Sequence, residues 1–139
     1  AGLRQLLDEG LGSAGELARA VVPTVGRTRK GFLAPCAPSG RFEGLAVEHI
    51  ELFDAEDRFW ARYCADRDAG GFGARWAGFL RAAAFPTLAT ALDGGGGDAR
   101  STAVLRRLQS EVAARLAAAP EPMSIPLATL VLAKAPRSA

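Results

Sequence analysis

The side chains that most often carry chemistry are few in this sequence. Its two cysteines are Cys36 and Cys64, and its one histidine is His49. We expect no zinc site from these three residues alone. Cys36 and His49 could meet in the fold as a nucleophile and its base, but no motif surrounds Cys36, and the Gly-x-Ser-x-Gly elbow of a serine hydrolase is absent. The sequence therefore predicts no self-contained catalytic centre.

Carboxylate pairs occur at Asp54 and Asp57 and again at Asp66 and Asp68. Paired carboxylates can act as general acid and base. These pairs, however, stand at predicted helix starts or in a polar stretch, where acidic side chains favour the helix dipole. We interpret them as capping residues.

Two further patterns could contact a ligand. The tract Gly94–Gly97 follows a predicted helix and precedes no Lys-Ser/Thr pair, so it predicts a flexible linker rather than a phosphate-binding loop. The basic cluster of Arg27, Arg29 and Lys30 lies inside an irregular connector predicted over 23–42. Such a cluster is usually a solvated loop, with a ligand-contacting role as the alternative.

Helical periodicity runs through most of the chain. Leucines from Leu3 to Leu11 predict a first helix, and Ser13 with Glu16 forms a capping box for a second, which Pro23 ends. Further helices are expected through Phe59–Tyr63 and through Trp76–Ala84, with Pro86 kinking or restarting the pattern. A last long helix is expected from a cap at Ser101 or Thr102 to Pro120.

Two apolar runs have the length of strands. The first, 45–53, would place Leu45, Val47, His49 and Phe53 on one face; the second is 125–132. Both have apolar residues on both faces, as strands of a covered α/β sheet do. Two strands alone make a poor sheet in water. We therefore predict part of a larger α/β domain.

Composition limits the class of protein. The chain has 139 residues, 49% of them hydrophobic, and 17 Lys and Arg against 15 Asp and Glu give a net charge of +2. This small, evenly spread charge argues against nucleic-acid binding. The longest apolar runs fall well short of the about 20 residues that a membrane span requires. With only two cysteines, we expect a cytoplasmic protein with reduced thiols.

Several segments, in order, resemble the C-terminal half of the SABATH-type S-adenosylmethionine-dependent carboxyl methyltransferases, especially bacterial relatives of the salicylate and jasmonate enzymes. The family has an acidic helix end, a Pro-containing cap segment, a Gly-x-Phe strand, a helix with a Met-Arg-Ala motif near a proline, and a last strand ending in lysine. The matching stretches are 7–11 (LDEGL), 22–28 (VPTVGRT), 40–51 (GRFEGLAVEHIE), 78–88 (GFLRAAAFPTL) and 125–134.

The resemblance implies a class I, Rossmann-like fold. Residues 1–35 would belong to a helical cap and 36–139 to the C-terminal α/β portion, with 45–53 as the sixth strand and 125–134 as the antiparallel seventh. The family binds S-adenosylmethionine through a glycine-rich loop and an acidic residue that this sequence lacks. The resemblance thus implies a fragment of a longer enzyme or a truncated product, by itself inactive, whose methyl donor is bound by residues missing from this chain.

The resemblance also implies methyl transfer to a small-molecule carboxylic acid, and it allows a homodimer. Leu80 and Ala83 match substrate-facing positions, Val25 stands where a tyrosine is common, and Ser124 where the plant enzymes have an aromatic residue. Trp76 joins this substrate-binding set on helical spacing alone. The alternative function is a non-catalytic module that binds a protein partner through the helix around Trp76 or binds a small ligand without chemistry.

Overall fold

The computed structural model describes Glu9, residues 12–94 and residues 97–134. The described chain forms two compact units. The helical unit contains the chain up to Pro23 together with Arg58–Met123, and the sheet unit contains Thr24–Asp57 and the chain from Ser124 onward. The helix predicted from Leu3 and the middle of the glycine tract, 95 and 96, lie outside the described residues.

The described elements alternate helices with two strands. In chain order they are α1 (Ala14–Arg19), α2 (Arg29–Leu33), a 3-10 turn (Ala34–Cys36), β1 (Leu45–Asp54), α3 (Arg58–Asp66), α4 (Ala69–Ala83), α5 (Phe85–Ala89), α6 (Ala99–Ala118) and β2 (Pro126–Lys134). The chain is therefore an α/β protein, as the sequence predicts. No helix in the described ranges is long and apolar enough to cross a membrane.

The two strands pair with each other along their whole length. They run antiparallel, with Leu45 opposite Lys134 and Asp54 opposite Pro126. Backbone pairing continues one step beyond the strands, where the Ala55 N–H donates to the carbonyl of Ile125 at 2.9 Å. The prediction that these two segments form an antiparallel pair is confirmed.

A β-bulge changes which β1 side chains share a face. The register shifts between Val47 and His49, so these two residues stand opposite consecutive residues of β2 and lie on opposite faces. The prediction that His49 and Phe53 share a face with Val47 is therefore wrong. The bulge brings four apolar residues to one face: Leu45, Val47, Ile50 and Leu52.

Side-chain caps fix where the helices begin. Ser13 and Glu16 form the predicted capping box at α1, although α1 ends at Arg19, before Pro23. Asp68 caps α4 by accepting from the Gly71 N–H at 2.8 Å, as its capping role predicts. At α6 the cap is Asp98 rather than the predicted Ser101 or Thr102.

The connector over 23–42 is more ordered than its composition predicts. Thr28 caps the short helix α2, which continues into the 3-10 turn, so the expectation of an irregular connector is wrong over 29–36. Arg29 joins this segment to the sheet, since its Nη1 donates to the Ile50 carbonyl at 2.8 Å. The turn before β1 has positive φ at Glu43 (50°) and Gly44 (77°), and glycine adopts such angles without strain.

The core of the helical unit lies between α4, α5 and α6. Phe85, Val104 and Leu108 are buried together, with Leu88, Leu92, Leu105 and Val112 packed around them. Pro86 lies in the first turn of α5 and restarts the helical pattern. Close approach of α4 to α6 depends on Gly73, where a Cβ would overlap the carbonyl oxygen of Ala113.

Candidate functional site

The five predicted substrate-binding residues fall into two groups. Trp76, Leu80 and Ala83 lie on α4 in the helical unit. Val25 and Ser124 belong to the sheet unit, in the segments before α2 and before β2. Each group is therefore a separate candidate site.

On α4 the spacing of four and then three residues places the group on one side of the helix. Trp76 is only 7% exposed, and its ring meets Phe59 edge-on at 5.2 Å and Phe79 at 5.5 Å between centroids. Leu80 is half-buried and Ala83 is exposed. Trp76 is thus a packed core residue, while its neighbours toward the end of α4 are progressively more accessible.

The sheet unit contains an open cleft of about 600 Å³ at the end of the sheet where β1 finishes and β2 begins. This volume is within the range of small-molecule sites. Its walls are mostly apolar. The lining residues are Val25, Gly26, Arg27, Phe32, Leu52, Phe53, Asp54, Pro126, Leu127 and Ala128.

Both predicted residues of the sheet unit approach this cleft. Val25 lines it and is 80% exposed. Ser124 is not a lining residue, but its Oγ donates to Oδ1 of Asp54 at 3.1 Å, and Asp54 lines the cleft. Ser124 therefore orients one of the two charged groups of the site.

Three apolar residues that line the cleft are partly exposed, with Leu52 on one face of the sheet and with Phe53 and Leu127 on the other. Leu52 is 44% exposed, Phe53 41% and Leu127 47%. Phe53 and Leu127 stand directly opposite each other in the register, so they form a continuous apolar patch. Covering such a patch releases about 25 cal/mol for each Å² of apolar surface removed from water.

Arg27 lines the cleft although it is not among the five predicted substrate-binding residues. It is exposed and lines the cleft. Its signal in the sequence is its membership of the basic cluster, two positions after Val25. That cluster divides in the structure, since Arg29 bonds to the backbone of β1 whereas Arg27 has no polar partner among the described residues.

The other candidates for chemistry stay apart from the cleft. Cys36 and Cys64 are unpaired, the first half-buried and the second exposed. His49 is an exposed strand residue opposite Val131. Within the described ranges, no three His, Cys, Asp or Glu side chains are grouped so that they could hold a metal ion.

The described residues do not fit S-adenosylmethionine. The family holds this cofactor at a glycine-rich loop after a parallel strand and at an acidic residue after the next one. Here the two described strands run antiparallel, β1 leads into α3 through Ala55, Glu56 and Asp57, and β2 follows a proline-containing segment. Neither junction provides that cradle.

Compared with models of known protein families and with curated proteins, the chain matches none of them.

Proposed function

We propose that this chain is the C-terminal portion of a SABATH-like carboxyl methyltransferase and that it supplies part of the wall that binds the acid. The observation that carries the proposal is the pairing of β1 with β2. The resemblance requires two strands more than 70 residues apart in sequence to be antiparallel neighbours, and they are. A structure without that pairing would have contradicted the resemblance.

The chemistry required of this chain is modest. A carboxylate acceptor is already ionised at neutral pH, because its ordinary pKa is about 4, so no residue need act as a base. The task is to hold the acid in position and exclude water from it. An apolar wall with few charged groups suits this task, and the cleft of the sheet unit has such a wall.

The test uses the protein at its native length. We expect immunoprecipitation from its source and intact mass spectrometry to find a species two to three times heavier than 14.5 kDa. Incubated with S-adenosylmethionine tritiated in its methyl group and a panel of small aromatic and aliphatic acids, that species should give a product whose label becomes volatile on base hydrolysis. Base releases methanol from methyl esters but not from methylated nitrogen or carbon.

Filling the cleft should reduce this activity. In Val25→Trp a large ring replaces the exposed valine of the cleft, and we expect kcat/KM for the preferred acid to fall about tenfold. Val21→Trp is the matched control, since Val21 is 64% exposed and does not line the cleft. A native species near 14.5 kDa that transfers no methyl group would overturn the proposal and favour the non-catalytic binding module.

A further inference from the structure

The outer edge of β2 presents backbone groups that have no partner. In an antiparallel pair, residues that bond to the opposite strand alternate with residues whose N–H and carbonyl point away from it. The Ala55 N–H bonds to the carbonyl of Ile125, which stands directly opposite. By this alternation Ala128, Leu130 and Leu132 point their backbone groups away from β1. Within the described part of the chain, these groups make no hydrogen bond.

The outer edge of β1, in contrast, is protected. The same alternation turns Leu45 and Ile50 outward on this strand. Leu45 exchanges two hydrogen bonds of 2.8 Å with Phe42, and the Ile50 carbonyl accepts from Arg29 at 2.8 Å. β1 also contains the bulge. Bulges and covering segments are devices that keep an edge strand from pairing further, and β2 has neither along its outer edge in the described residues.

Charge distinguishes the two strands as well. β1 carries three carboxylates, at Glu48, Glu51 and Asp54. β2 has no charged residue before Lys134 at its end. Two copies of β1 side by side would bring carboxylates close together, which is unfavourable in a sheet. Two copies of β2 would meet without that repulsion.

We infer that β2 pairs with β2 of a second copy of this chain, so that the strands of both copies form one continuous sheet. Antiparallel pairing centred on Leu130 overlaps the whole strand. It places Leu130 opposite the partner's Leu130 and Ala128 opposite the partner's Leu132, so that the outward groups of these residues bond to each other. Pro126, which has no N–H to donate, falls at the end of the ladder opposite the partner's Lys134. The two lysines therefore lie far apart.

This pairing also gives neighbours to apolar side chains that are exposed in the single chain. Leu127 is 47% exposed, Val131 45% and Leu132 50%. Val131 would stand opposite the partner's Thr129, and such cross-strand pairs of β-branched residues stabilise a sheet. A two-stranded sheet is marginally stable in water, and additional strands stabilise it. The inference depends on this free edge and not on the proposed function.

Sedimentation equilibrium of the native-length protein should show a dimer of twice the chain mass. Leu132→Pro removes one outward N–H from each copy and leaves the bonds between β2 and β1 in place. We expect it to raise the dissociation constant of the dimer at least about tenfold. Leu132→Thr is the matched control, because it removes the same exposed side chain, keeps the N–H and should raise the dissociation constant less.

A cysteine substitution tests the register directly. In a background carrying Cys36→Ser and Cys64→Ser, Leu130→Cys places a thiol on the two-fold axis. The Cα atoms of such a hydrogen-bonded pair are about 5.5 Å apart, which suits a disulfide. Oxidation with copper phenanthroline should therefore link the two copies. Leu132→Cys should link them much less, because its thiols would lie about 14 Å apart along the ladder.

A monomer at every concentration measured would overturn the inference. A dimer that Leu132→Pro does not weaken, or that Leu130→Cys does not link, would also overturn it. If β2 pairs instead with another strand of a longer native chain, both variants give these negative results, and the proposed function stands. A dimer with the expected register that transfers no methyl group contradicts only the proposed function.

Discussion

Glu16 is a buried carboxylate whose partners come from separate segments of the helical unit. The two terminal nitrogens of the Arg100 guanidinium donate to it at 2.7 Å, and the backbone N–H groups of Asp93 and Ser13 donate at 2.9 and 2.8 Å. These bonds, from Arg100 first and then from the two N–H groups, hold the pKa of Glu16 far below its ordinary value. The ionised side chain thereby joins α1 to α6 and to the loop before it.

Replacing this carboxylate should cost stability in a pH-dependent way. Because Arg100 is partly exposed, we expect Glu16→Gln to lower the free energy of unfolding by about 2 kcal/mol at pH 7, somewhat below the usual cost of breaking a buried pair. A group whose pKa is depressed on folding stabilises the fold above its unfolded pKa, about 4.3 for Glu, and loses that contribution as the pH falls. Urea unfolding from pH 7 to pH 3 measures both effects.

Arg62→Gln provides the control, since it removes one side of an exposed pair with Asp66 and should cost less than about 0.5 kcal/mol. The wild-type protein should lose stability below pH 5 more steeply than Glu16→Gln does. Equal slopes for the two proteins would show that Glu16 is not held ionised by the fold.

At the scale of elements, the contact between α4 and α6 determines how closely the helical unit packs. A Cβ at Gly73 would overlap the carbonyl oxygen of Ala113 and lie 3.0 Å from the backbone nitrogen of Ala117. These obstacles are backbone atoms, so the helices themselves would have to separate. Gly73 is therefore retained for packing despite the low helix propensity of glycine.

Two glycine substitutions on α4 should have opposite effects. We expect Gly73→Ala to lower the free energy of unfolding by about 2 kcal/mol, because it forces the helices apart. At Gly78 an added Cβ would meet nothing within 4 Å beyond its own stretch of helix, so Gly78→Ala should raise stability by up to about 1 kcal/mol. Thermal unfolding of both variants tests this, and a stabilising Gly73→Ala would contradict the observed helix packing.

For the whole molecule, the buried apolar residues are divided unequally between the units. Of those in the described chain, Ile50 belongs to the sheet unit, and the others, including Phe72, Trp76 and Phe85, belong to the helical unit. A two-stranded sheet with little buried surface is marginally stable by itself. The two units should therefore differ in local stability.

Native-state hydrogen exchange should detect this difference. We expect the interior amides of β1 and β2 to exchange through openings of lower free energy than the interior amides of α4 and α6. Mass spectrometry of peptic peptides would resolve the two sets. Equal protection in both would mean that the units open as one cooperative body, contrary to the expectation from burial.

Much of the fold can be predicted from the sequence because the signals that specify it are local. The capping box of Ser13 and Glu16 uses residues three apart, and the restart of the helix at Pro86 follows from a missing N–H donor. The start of α6 is missed because Asp98, Ser101 and Thr102 are all suitable caps, and composition alone does not rank them. The prediction of which β1 side chains share a face is wrong because the β-bulge depends on how β1 pairs with β2, which is distant in sequence.

The features of the candidate site also divide into those that the sequence predicts and those that depend on the tertiary structure. The sequence by itself predicts that β1 and β2 are strands, and it places Val25 and Arg27 two positions apart. Only the tertiary structure decides that Val25 lines an apolar cleft, that Trp76 is buried in the helical unit, and that Arg27 rather than Arg29 is left without a partner. Local structure follows from residues that are neighbours in the chain. The partner of a charged side chain depends instead on atoms that folding brings together from distant parts of the sequence.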